Sequence, residues 1–179
     1  MKTLMVSMLI ATVLGARADA ITVVPMTFEQ LVEEATTVVY ARVADVRGQW
    51  TADRRSIDSV VTLEALRYLK GDSGTSLLMR LPGGTAGGVV NVMPGAPVVR
   101  EGELLVVFLQ QRGPAVVGPL GLGQGLFRVV RDVGSGAMLV SPPPLKASVA
   151  GRVLRGAADR RVLSVDQFEA SIRAVEAAQ

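Results

Sequence analysis

The chain has 179 residues, of which 49% are hydrophobic and 20% charged, with 19 glycines, 9 prolines, no cysteine and no histidine. That composition excludes a disordered chain and a disulfide-built scaffold, and the formal charge of +3 is too small for a nucleic-acid binder. Without imidazole or thiol there is no serine-histidine triad, cysteine nucleophile, histidine base or ordinary zinc site to be had.

In chain order, residues 1–20 read as a cleavable export signal. Lys2 supplies the positive start, residues 4–14 the apolar stretch, and Ala18-Asp19-Ala20 the small-residue exit. Cleavage is expected after Ala20, with Ala18 as the near alternative. The apolar stretch falls short of the roughly 20 residues of a membrane-spanning helix, and no second long apolar run follows. A lipoprotein needs an N-terminal cysteine, which this chain lacks. The expected product is secreted or periplasmic, without a transmembrane segment once the signal is removed.

The mature chain opens with a helix start. Thr27 caps, Gln30 answers, and Met26 staples to Leu31. The β-branched run Thr36-Thr37-Val38-Val39 ends that helix and begins a strand over residues 38–46, with Val39, Ala41 and Val43 on one face and Tyr40 and Arg42 on the other. A second strand over 57–69 alternates Ile57, Ser59, Val61, Leu63 and Ala65 against Asp58, Val60, Thr62, Glu64 and Leu66. It pairs antiparallel with the first, and a third strand covers 76–81. Residues 82–97 carry five glycines and three prolines, so they are expected to form a loop with at most one irregular strand. Residues 104–109 are apolar on both faces, which predicts a central buried strand. Short strands are expected at 115–117, 126–130 and 137–140, around the glycine-rich stretch 118–125.

Pro142-Pro143-Pro144 closes the β domain. Past a basic stretch, Leu163-Ser164-Val165-Asp166-Gln167-Phe168 repeats the capping chemistry of the first helix, and Val165, Phe168, Ile172 and Val175 form an apolar stripe. Whether that stripe docks on its own sheet or on a partner stays open at this point. The expected organisation is a signal peptide at 1–20, a β-barrel domain at 21–141, a Pro/Arg-rich linker at 142–162 and a C-terminal helix at 163–179.

Chemistry-bearing motifs are few. Gly121-Leu122-Gly123-Gln124-Gly125 misplaces the third glycine of a dinucleotide fingerprint and runs into a strand-like segment, so it reads as a turn. The glycines after Leu81-Pro82 lack the Lys-Ser/Thr of a phosphate loop. Lys70 with Ser73, Lys146 with Ser148, and the carboxylates Glu64, Asp72, Glu101 and Glu103 are the remaining catalytic material. The candidate interaction surface comprises the aromatic platforms Trp50 and Tyr68 with the basic residues Arg152, Arg155, Arg160 and Arg161, and the 82–97 loop and the C-terminal helix are the expected contact regions. No cofactor and no metal are expected.

Three runs carry a resemblance: Leu31 to Val43, then Val61-Thr62-Leu63-Glu64 to Leu69-Lys70-Gly71, then Gly102-Glu103 to Leu105-Val106; Gly123 to Asp132 adds a fourth. They resemble a family of uncharacterised secreted bacterial proteins and, remotely, the netrin-like domain of metalloproteinase inhibitors. That resemblance implies a small OB-like antiparallel β barrel, flanked here by a short N-terminal helix and a C-terminal amphipathic helix. The inhibitors place an N-terminal cysteine on zinc, whereas the expected mature start here is Ile21-Thr22-Val23, so no functional residue is carried over. The function expected is that of an exported, non-enzymatic binding or interaction domain whose partner is another exported protein. The alternatives are an exported enzyme using carboxylate or Ser/Lys chemistry and an envelope-associated structural protein.

Overall fold

The computed structural model describes residues 24–111, 117–143, 146–149, 152–155 and 161–178, the backbone alone at 146–149 and 152–155. The signal reading at 1–20, Ala115 and Arg160 lie outside them.

Helix α1, Phe28–Glu34, begins with the expected capping box: Thr27 Oγ1 accepts from the Gln30 amide at 3.2 Å, and Gln30 Oε1 accepts from the Thr27 amide at 2.8 Å. Two long antiparallel strands follow, β1 (Thr37–Trp50) and β2 (Ile57–Lys70), and then β3 (Ser76–Pro82). The central apolar run becomes β6 (Leu104–Gln111), separated from β3 by the hairpin β4 (Gly84–Ala86) and β5 (Val89–Asn91). β7 (Val117–Pro119), β8 (Leu126–Arg131) and β9 (Met138–Ser141) continue the chain. The segment expected as a linker contains an antiparallel hairpin, β10 (Lys146–Val149) and β11 (Arg152–Arg155). β12 (Leu163–Ser164) then leads directly into α2 (Val165–Ala177).

The protein is mainly β with two helices, as its patterning predicts. Its main sheet runs β12-β9-β8-β6-β1-β2-β3, with β7 added to the end of β6. The sheet is not closed into a barrel. β3 curls round to lie beside β7, yet among the described residues no ladder joins them. Strand patterning specifies which face is buried, but closure depends on whether two edges meet in hydrogen-bonding register, which no local pattern encodes.

Each face of the sheet buries its own core. Val38, Val106, Phe108, Phe127 and Val129 pack under both helices with Leu31, Val165, Phe168 and Ile172. Val39, Ala41, Val43, Val61, Leu63, Met79, Leu105, Val107 and Leu109 fill the inside of the curl. The alternating residues of β6 thus serve both cores, which explains why that run is apolar throughout. The stripe of α2 docks on its own sheet, where Phe168 meets the rings of Phe28, Phe108 and Phe127 at centroid distances of 5.4, 6.0 and 5.1 Å. Arg67 on β2 adds ion pairs to Asp166 and Glu169 of that helix.

Register shifts between β1 and β2 fall opposite Val38/Val39 and Tyr40/Ala41. They reverse the simple alternation at the end of β2, so that Tyr68 packs against the inner core and Leu69 faces the helices.

Candidate functional site

The stretch 82–97 is more ordered than its glycine content suggests, because it holds two short strands where at most one was expected. Gly87 and Gly88 have φ of 58° and 78°, the pair of positive values that a tight two-residue hairpin requires, and they join Ala86 to Val89. β4 lies across β1 at Gly48. A Cβ at that position would sit 1.9 Å from the Thr85 carbonyl oxygen, so only glycine permits the crossing. Gly83 fixes the other end: its amide donates to the Ile57 carbonyl at 2.9 Å, and its own carbonyl accepts from Ser59 Oγ at 2.8 Å.

The hairpin and the loop after it border an open cleft of 580 Å³ at one end of the curled sheet. Its floor includes Val46, Leu81 and Val99, which belong to or pack against the inner core. Thr85, Val90 and Asn91 stand on the hairpin side, and Pro94, Pro97 and Val98 on the other. No lining residue is charged, and indeed no charged residue occurs between Arg80 and Arg100. Ser59, Thr85 and Asn91 are the polar side chains in the lining. The size and the apolar walls with few polar groups match what small-ligand and side-chain pockets generally show. The rim is apolar as well, with Val92 78% and Val98 69% exposed.

Of the residues singled out from the sequence, Trp50 lies beside this site. It is 38% exposed, and its indole nitrogen approaches the Gly87 turn. Tyr68 is elsewhere. It pairs with Val39, eleven residues along β1 from Trp50, which is roughly 35 Å in an extended strand. Its hydroxyl donates to the Gly74 carbonyl at 2.5 Å, and burial raises its pKa. Arg161 is exposed ahead of β12, while Arg152 and Arg155 lie on β11.

No protein-family model, curated protein or solved structure matches this chain.

The groups of the enzymatic alternative are spread over the molecule. Lys70 Nζ donates to the Val32 carbonyl at the end of α1, Glu64 pairs with Arg42, and Asp72 accepts from the Gly74 amide. Glu103 stands 3.8 Å from both Arg100 and Arg128, and Glu101 is exposed in the turn before β6. Among the described residues, no three Asp or Glu side chains gather as metal ligands would, and no helix is long and apolar enough to cross a membrane.

Sequence reasoning placed a contact region at 82–97 but missed Val46, Gly48, Ser59 and Val99, which complete the cleft from other elements. Two signals pointed to it. Gly87-Gly88 between Thr85-Ala86 and Val89-Val90 is a hairpin pattern, and Gly48 inside a strand marks a close backbone approach.

Proposed function

We propose that this chain is an exported, non-enzymatic binding domain that takes an uncharged, apolar ligand or side chain in the cleft between the β4–β5 hairpin and the 94–99 loop. The observation that carries the reading is the cleft itself: 580 Å³, free of charged residues, and floored by the inner core in a chain that is 20% charged. Such a cavity repels ions by desolvation and rewards apolar surface at roughly 25 cal/mol per Å² buried. The OB-like reading belongs to the same proposal. It is supported by five strands, β3-β2-β1-β6-β7, that wrap one core with β3 beside β7, the arrangement whose mouth would hold the ligand. Export rests on the Lys2, 4–14 and Ala18-Asp19-Ala20 pattern.

A neutral solvatochromic dye tests the cleft. Its emission is expected to shift to the blue on binding, and Val92→Asp and Val98→Asp, both at exposed positions, are expected to weaken binding about tenfold or more, each tenfold step being 1.4 kcal/mol. Dye binding that ignores both substitutions would remove the cleft from consideration. For export, mass spectrometry of the protein recovered from the exported fraction should read a chain beginning at Ile21.

A further inference from the structure

The cleft wall opposite the hairpin, residues 94–98, is backed by a segment that stays out of the cleft. Three contacts come from that one stretch of chain. Leu122 Cδ2 lies 3.5 Å from where a Cβ on Gly95 would stand, and Pro97 Cδ lies 3.4 Å from the corresponding point on Gly123. Arg128 completes the series, its Nη2 donating to the Val98 carbonyl at 2.7 Å. Gly95, Pro97 and Val98 line the cleft, whereas Leu122, Gly123 and Arg128 do not.

The backing segment is itself fastened from behind. The Phe108 amide donates to the Gly125 carbonyl at 2.8 Å and the Leu120 amide to the Phe108 carbonyl at 3.0 Å, which ties both ends of the 120–125 turn to β6. Gln124 is 1% exposed; it accepts from the Met26 amide and donates to the Val24 carbonyl, each at 2.8 Å, and so ties the turn to the chain ahead of α1.

The centre of that turn goes against local preference. Leu122 has φ of 65°, and across it the Gly123 amide donates to the Gly121 carbonyl at 2.8 Å. This is the strained form of a three-residue turn, in a left-handed conformation that suits glycine and disfavours a branched apolar side chain. Glycine flanks the position on both sides, yet leucine occupies the strained centre. Among the described residues, Arg54 in the exposed β1–β2 turn is the other non-glycine with positive φ. Strain of this kind persists where the surroundings impose it and a role makes use of it, and what the Leu122 side chain reaches is Gly95 of the wall.

We propose that Leu122 is a positioning residue of the cleft: it holds the 94–98 wall at its spacing from the hairpin, and so sets the affinity of the site without touching what binds there. That role rests on the apolar cleft proposed above.

The test uses the full chain. Leu122→Gly suits the backbone conformation, so the turn is kept while the side chain is lost; Leu122→Met keeps an apolar side chain of similar volume. Leu122→Gly is expected to bind the neutral dye at least about fivefold more weakly. Hydrogen exchange at the Ala96 amide, which donates to the Met93 carbonyl within the wall, should be faster by a similar factor. Leu122→Met should keep both near the parental values. Arg54→Gly, the same backbone change outside the wall and its backing, should alter neither. Parental exchange at Ala96 in Leu122→Gly, or equal losses in Leu122→Met or Arg54→Gly, would overturn the assignment. Dye binding weakened by Val92→Asp but not by Leu122→Gly would leave the cleft reading standing and this one refuted. Dye binding that ignores Val92→Asp and Val98→Asp would remove the cleft, and the role of Leu122 with it.

Discussion

The two faces of the sheet are buried by different means, and the difference explains where a cleft is left. On one face α1 and α2 bring Phe28 and Phe168 onto Phe108 and Phe127, and ring edges meeting ring faces fill the layer. On the other face the sheet covers itself by curling, with valine, leucine and methionine inside. A helix lid can be laid flat and sealed by large rings. A curled sheet leaves an end, and here the end is roofed by the hairpin over Gly48, with 580 Å³ beneath it.

The most severe way to break the comparison is on the helix side. Phe168→Ala removes a buried ring that touches three others and is expected to cost about 3–5 kcal/mol, read as a lower urea midpoint. If the two cores are as separate as their contacts indicate, whatever fraction remains folded should still bind the dye. Gly48→Ala probes the other region. Its Cβ would drive into the backbone of Thr85, so a loss of about 1–3 kcal/mol is expected together with loss of dye binding, the reverse of the Phe168→Ala pattern. Arg67→Ala sharpens the contrast at the join between sheet and α2. Its ion pairs with Asp166 and Glu169 are partly exposed, so the cost should be under about 1 kcal/mol and should shrink further in high salt.

The smallest effect concerns one turn in each region. The Thr51 hydroxyl donates to Asp53 at the cleft end, and the Ser135 hydroxyl and amide donate to Asp132 in the β8–β9 turn; both carboxyls are held below their ordinary value of 3.8. A lowered pKa in the folded state means that the ionised form is preferred there. The contribution is therefore complete above the ordinary value and disappears as pH falls through the lowered one. Acid melting curves of Thr51→Ala and Ser135→Ala should run slightly below the parent at neutral pH, and the gap should narrow as pH falls through the lowered pKa values, where the parent loses the hydroxyl-to-carboxylate part of the difference; the bonds of Thr51 to Ser56 and of Ser135 to the Ala137 amide do not titrate.

Much of the architecture was legible because it is written in local chemistry. Both capping boxes, Thr27 with Gln30 and Ser164 with Gln167, are present as their spacing predicts, and residues 104–109 form the strand buried on both faces. The expected helix stripe is also the buried one, at Val165, Phe168 and Ile172. Other features were not legible. The bulges in the β1–β2 ladder turned Tyr68 inward, although its place in a simple alternation suggested an exposed platform. The β4–β5 hairpin was obscured because its turn signal sits among five glycines and three prolines that equally fit an irregular loop.

For the candidate site the division is sharper. Residues 82–97 were recognisable as a contact region from glycine and proline content alone, since a stretch that cannot join the core must lie at the surface. That it roofs a cavity depends on Val46, Gly48, Ser59 and Val99 arriving from β1, β2 and the loop before β6. The sequence by itself determined the helix caps, the two-faced central strand and the absence of thiol and imidazole, because each is a property of neighbouring residues or of composition. Only the tertiary structure decided that the sheet stays open, that α2 seals one face and that a cleft remains at the other, because these depend on how distant backbones meet.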